Sequence, residues 1–297
     1  MNDQALAPYL EHLPDPARRA LAGHLLDWTL RHCRCTAGPG GRHAQQSFYA
    51  ATFASRCAPD DARAEELLAV GKFMIFYFGV DDGPAHELEA LHRHLDEGQP
   101  LVAAGELGAL HAALLDDLSR QGVPVLPIAQ GIAGLCAATA TEGEHDAATM
   151  SPGSFHALRM TTVAAAVYID CWRGLRDLSM TDGQDLVDAA VEAIYLGNDL
   201  VSLDKERHPH AEGAYTTSNY VLYRAARSGC TPDEAVDEAV IRYRKLADTL
   251  AHAPTGPLVT VLRAIVGGDL RAYRDLAATR FPGAQRMLDR LTAPVPC

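Results

Sequence analysis

Residues 194–207 read I-Y-L-G-N-D-L-V-S-L-D-K-E-R. Asn198, Ser202 and Glu206 recur at every fourth position. At about 3.6 residues per turn, that spacing stacks their side chains along one face of a helix. An amide oxygen, a hydroxyl and a carboxylate in a row are all hard oxygen donors. Such donors suit Mg²⁺, which takes few protein ligands and completes its shell with phosphate and water. Lys205, next to Glu206, brings a positive charge to the same turn. The same three residues also serve as the polar face of an ordinary helix with Asn198 as a cap, and the row alone leaves both readings open.

Outward from this stretch the chain reads as helix throughout. Pro16 to His32 carries Leu21, Leu25, Leu26, Trp28 and Leu30 on one side, and G-P-G-G at 38–41 breaks the pattern. Further helices are expected at 46–56, 60–80, 101–120, 126–140, 154–178, 183–206, 216–228, 232–252, 256–266 and 268–279. Strand–helix alternation and internal repeats are absent from the pattern. The polar stretches 141–153 and 207–215 are short connectors. The expectation is one all-α domain over residues 1–297.

Composition narrows the partners. The chain has 297 residues, with 26 Lys plus Arg against 38 Asp plus Glu, a net charge of −12. Bulk electrostatics therefore disfavour nucleic acid and anionic membranes. An anionic substrate needs a local device, either a metal or a few placed cations. Cysteines stand at 33, 35, 57, 136, 171, 230 and 297, without the spacing of a zinc site. Free thiols, an N-terminus without signal-peptide layout and no apolar run of ~20 residues lead to the expectation of a soluble cytoplasmic protein without a membrane span.

A second acidic element follows the apolar run G-K-F-M-I-F-Y-F-G-V, which ends at Val80: Asp81 and Asp82 come directly after it. Adjacent carboxylates at a helix C-terminus repel each other and face the negative end of the macrodipole. A divalent ion would compensate; equally, Asp82-Gly83-Pro84 is a turn with Asp chosen for local hydrogen bonds. Within S-F-H-A-L-R-M-T-T, Arg159 sits among apolar residues and calls for an anion if buried, or else reaches the surface.

Together these segments resemble microbial class I terpene synthases. N-D-L-V-S-L-D-K-E resembles their second metal motif, N-D-x-x-S-x-x-K-E, and D-D-G-P-A-H-E resembles their aspartate-rich motif. The resemblance implies metal ligands at Asp81, Asp82, Asn198, Ser202 and Glu206; Glu87 comes one place later than the family's usual third acid. Arg159, 39 residues before Asn198 (198 − 159), resembles the diphosphate-sensing arginine. Thr162 and Val163 occupy the places of its usual partners without matching them. T-T-S-N-Y-V-L-Y resembles the start of the helix after a mobile loop, here 208–215. A-T-R-F-P stands where an Arg-Tyr pair is usual, so Arg280 joins Lys205 and Arg159 as a diphosphate contact, with Phe281 in place of Tyr.

The resemblance implies a bundle of antiparallel helices around a central apolar cavity, three Mg²⁺ ions, and ionisation and cyclisation of a prenyl diphosphate. Of the aromatic residues, Phe73, Phe76, Tyr77, Phe78, Trp172 and Tyr195 lie on motif-bearing helices, and one or two can face a carbocation. A C20 substrate is favoured, geranylgeranyl or a labdane-type bicyclic diphosphate, with farnesyl diphosphate close behind. No D-x-D-D segment is present for protonation-started cyclisation. Family members are often homodimers. The rival readings are a chain-elongating prenyltransferase, which would carry two D-D-x-x-D motifs, a phosphohydrolase using His145-Asp146, and a non-enzymatic helical binding protein.

Overall fold

The computed structural model describes residues 2–33, 41–142, 149–207, 218–281 and 283–292. These form α1 (Asn2–Leu6), α2 (Pro16–His32), α3 (Arg42–Arg56), α4 (Ala64–Asp82), α5 (Ala85–Glu97), α6 (Gly105–Arg120), α7 (Val125–Glu142), α8 (Pro152–Thr162), α9 (Ala165–Leu175), α10 (Gln184–Arg207), α11 (Tyr220–Ser228), α12 (Pro232–His252), α13 (Pro257–Leu276) and α14 (Gln285–Thr292). Two short 3-10 segments complete the set, and the described residues contain no strand. The fold is all-α, as the sequence pattern requires. Two compact units divide the chain: 1–140 with 167–182, and 141–166 with 183–297.

The first unit is organised around α4. Every residue from Ala69 to Phe76 is buried, and a helix apolar all round needs neighbours on every side. It packs against α2, α3 and α6. Gly71 permits the closest approach, since a Cβ there would lie 2.9 Å from the Leu25 side chain. The one charge in this run, Lys72, is answered: its Nζ donates to Asp117 Oδ2 at 2.5 Å, and the Trp28 indole N–H donates to the same oxygen at 2.9 Å. Burial works against the Asp117 carboxylate, but the hydrogen bond and charge of Lys72 prevail and hold it below its ordinary range.

His111 on α6 has no such partner. It is buried against Phe76, with ring centroids 5.9 Å apart, and neither ring nitrogen makes a hydrogen bond. Burial, with a lesser push from His94, holds the imidazole down at about 4, against an ordinary 6.5. The folded state therefore binds fewer protons than the unfolded chain between these values. Stability fully present above pH 6.5 is lost as the pH falls toward 4, by roughly 3 kcal/mol for a shift of this size. His111→Leu is expected to remove that part of the acid sensitivity. Melting temperatures of both proteins from pH 7 to 4.5 test this, and parallel curves would contradict it.

The second unit is organised around α10, buried on all sides from Ala193 through Leu203 except at Asn198. It packs against α8, α11, α12, α13 and α14. Each unit thus wraps one central helix, and each central helix ends in one of the acidic motifs.

Several boundaries differ from the sequence pattern. The helix expected at 154–178 is two, α8 and α9, separated at Ala164, whose φ of 58° is left-handed. A residue with a Cβ pays roughly 1–2 kcal/mol there, and no Gly or Pro announces the break. Conversely, 256–266 and 268–279 are one helix, α13. Gly267 and Gly268 weaken its propensity without ending it, because packing on α10 and α12 carries the helix through. Helix α5, not expected, follows Pro84, and α14 was likewise unmarked. Helix α3 begins at Arg42, four residues early, and α4 begins at Ala64 and runs through Asp82.

Candidate functional site

Asp81 and Asp82 are the last two residues of α4, not a turn beyond it, with Gly83 as the C-cap. Both are exposed. The helical register puts Phe73, Tyr77 and Asp81 four residues apart on one face. Glu87 has other work: its carboxylate accepts from the Leu107 N–H at 3.0 Å, capping the start of α6. Gly105, at φ 55°, leaves room for it, since a Cβ there would lie 2.6 Å from Glu87 Oε1.

On α10 the row Asn198, Ser202 and Glu206 is present on one helix face. The Ser202 hydroxyl is buried and has no hydrogen-bond partner, which is costly unless something else satisfies it. The Asn198 Nδ2 donates to the Tyr273 hydroxyl at 3.1 Å, leaving the amide oxygen as the group that can face a cation. Glu206 Oε2 accepts from Asn219 Nδ2 at 2.7 Å, which fixes its carboxylate while leaving lone pairs available. A hard divalent cation fits this donor set.

Asn219 is a residue that sequence reasoning passed over. Its second N–H donates to the Asp199 carbonyl at 2.7 Å, and its Oδ1 accepts from Val221 and Leu222 N–H at 2.9 and 3.4 Å. All its hydrogen-bonding capacity is used, so it caps α11 and ties that helix to the motif. An Asn before an apolar helical run was the available signal.

Arg159 on α8 is buried, and its anion is already in the chain. Its Nε and Nη2 both donate to the Asp199 carboxylate, the former at 3.3 Å. Nη1 donates to Thr162 Oγ1 at 2.9 Å and lies 3.7 Å from Glu142 Oε1. Thr162, left without a role by the sequence, thus takes one of the five guanidinium N–H groups, and Asp199 takes two. Burial opposes the charge, but Asp199 and Glu142 outweigh it and hold the guanidinium firmly protonated. Asp199 also accepts from the Tyr220 N–H at 2.7 Å. Burial, seconded by Glu206, raises its carboxyl, while Arg159 pulls the other way.

The other candidates fall in both units. Lys205 is exposed. Arg280 lies just beyond α13, its guanidinium 5.7 Å from the Phe281 ring centroid, and Phe281 is buried edge-on against Tyr273. Phe76, Phe78, Trp172 and Tyr195 are buried, and Tyr77 is half-buried. Phe73 packs against Tyr168, Phe78 between Tyr49 and Phe53, and Tyr195 against His156 with a 3.1 Å hydrogen bond. Asp81 and Asp82 belong to the first unit, and the row on α10 belongs to the second. Residues 208–215, His145-Asp146, Cys35 and Cys297 lie outside the described residues.

One cluster unmarked by spacing appears in the first unit, where ligand atoms of Cys33, His43 and Glu106 lie within 4.8 Å of one another. Arg42 already pairs with Glu106 at 2.6 Å, so a cation there would compete with a guanidinium. No described helix is long and apolar enough to cross a membrane.

The sequence profile described as terpene synthase family 2, C-terminal metal binding, matches residues 72–248. That span includes both acidic motifs and Arg159. A search of curated proteins finds no match. Among solved structures, the chain is similar to 2-methylisoborneol synthase from Streptomyces coelicolor A3(2), at 18% identity and TM-score 0.69, covering 90% of this chain and 92% of that one. Linalool/nerolidol synthase from Streptomyces clavuligerus gives 17% identity and TM-score 0.64, with coverage of 88% and 97%. Isoprene synthase from grey poplar leaves, solved with three Mg²⁺ ions and dimethylallyl-S-thiolodiphosphate, gives 16% identity and TM-score 0.65, with coverage of 94% and 60%.

Proposed function

The chain belongs to terpene synthase family 2, and from that premise we propose that it carries out the Mg²⁺-dependent ionisation and cyclisation of a prenyl diphosphate, releasing diphosphate. The proposal treats residues 1–297 as one synthase domain in the cytoplasm. The observation that carries it is the row of oxygen donors on α10, with the Ser202 hydroxyl buried and unsatisfied.

Asn198 Oδ1, Ser202 Oγ and the Glu206 carboxylate are assigned as metal ligands, with Asp81 and then Asp82 contributed by α4. Three ions are proposed, in keeping with the number bound in the isoprene synthase structure. When bound, magnesium supplies Lewis-acid stabilisation of the negative charge that grows on departing diphosphate. Arg159, Lys205 and Arg280 are assigned to the diphosphate oxygens, where charge-assisted hydrogen bonds strengthen as the leaving group develops. Phe76, Tyr77, Phe78, Trp172 and Tyr195 are the candidates for presenting a π-face to the carbocation and keeping water from it.

A C20 substrate is proposed, geranylgeranyl or a labdane-type diphosphate, with farnesyl diphosphate as the second choice. Separate incubations with each, followed by gas chromatography–mass spectrometry, test this. A cyclic diterpene from a C20 diphosphate is expected. Cyclic product from farnesyl diphosphate alone would move the assignment to C15, and no product from any of them would contradict the cyclase reading.

A further inference from the structure

Asn198 is held from behind by α13, which packs along α10. Its Nδ2 donates to the Tyr273 hydroxyl at 3.1 Å, and the Asp269 carboxyl, one turn earlier on the same helix, lies beside that hydroxyl. Both α13 residues are buried, Asp269 at 5% and Tyr273 at 2% exposure. Asp269 Oδ2 has no hydrogen-bond partner and lies against Gly197, where a Cβ would stand 3.6 Å from it. A carboxyl buried in this way is costly, and stability alone would favour an apolar residue at that place.

A proton given by the Tyr273 hydroxyl to Asp269 would set the direction of the whole row of groups. The carboxyl offers an acceptor oxygen in either protonation state, and a tyrosine hydroxyl has one proton to give. Once that proton points at Asp269, the phenol oxygen can only accept. The amide of Asn198 must then meet it with Nδ2, because Oδ1 in that place would set two lone-pair oxygens against each other. The carbonyl oxygen is turned to the opposite edge of the amide plane. An acceptor behind a ligand, fixing which atom faces the metal, is a common outer-shell device.

We propose that Asp269, acting through Tyr273, is a positioning residue that holds the Asn198 amide with its oxygen presented as a metal donor. The inference rests on the reading of the α10 row as a metal motif. Neither residue belongs to the motif, and neither was marked by the sequence.

The test is Mn²⁺ binding in the presence of inorganic diphosphate, followed by loss of the free-ion electron paramagnetic resonance signal, alongside melting temperatures. Tyr273→Phe keeps the ring against Phe281 and removes only the hydroxyl. It is expected to weaken Mn²⁺ binding about 10-fold, in the range usual for outer-shell partners, with the melting temperature within about 2 °C of wild type. Asp269→Leu is expected to weaken binding to a similar degree. Asp269→Asn keeps a carbonyl acceptor and is expected to bind within about twofold of wild type. Wild-type binding with no loss in Tyr273→Phe, or equal loss in Asp269→Asn and Asp269→Leu, would overturn the positioning role and leave the metal motif standing. Failure of the wild-type protein to bind Mn²⁺ with diphosphate would overturn both.

Discussion

Glu206→Gln is expected to lower turnover of any accepted prenyl diphosphate by about 10³-fold or more, while the protein stays folded. The substitution is isosteric. A glutamine carbonyl can still accept from Asn219, whose Nδ2 lies 2.7 Å from the present carboxylate, so the tie between α10 and α11 survives. What is removed is the one negative charge in the row of Asn198, Ser202 and Glu206. A neutral amide oxygen competes poorly with water for a hard divalent ion. Melting temperature and steady-state rates on one preparation separate the two effects. Turnover near the wild-type rate would remove Glu206 from the ligand set.

The second large effect concerns Arg159. Arg159→Met leaves Asp199 buried without its partner, and removing one side of a buried pair costs about 3–5 kcal/mol. In a chain of this size that corresponds to a fall of roughly 10 °C in melting temperature. Pairing it with Asp199→Leu removes the stranded charge and is expected to restore most of the stability. Activity is expected to stay low in both variants, because the proposed diphosphate contact is missing from both. A double variant that is stable and fully active would confine Arg159 to a structural role. A single variant that melts with wild type would show that the pair contributes little.

The two acidic motifs were legible because their signal is local. Asn198, Ser202 and Glu206 lie within one helix at a spacing the α-helix itself converts into a row, and Asp81 and Asp82 follow an apolar run that has to be buried. The all-α class was legible for the same reason. What surrounds the motifs was not, because the partners are far apart in sequence. Asp199 is 40 residues from Arg159, Tyr273 is 75 from Asn198, and the Leu107 N–H that Glu87 caps is 20 away. Propensity also misled in both directions. Gly267-Gly268 suggested an end where packing sustains α13, and nothing in M-T-T-V-A-A announces the left-handed Ala164. In both cases tertiary packing overrides a preference worth about 1 kcal/mol per residue.

The central claim is that this chain releases diphosphate from a prenyl diphosphate with the help of bound Mg²⁺. Release of inorganic diphosphate from geranylgeranyl, labdane-type and farnesyl diphosphates, measured after treatment with a chelator and again after Mg²⁺ is restored, tests it directly. The expected result is release from at least one of the three that stops on chelation and returns with Mg²⁺. Release that continues unchanged after chelation, or no release from any of them with Mg²⁺ present, would contradict the account.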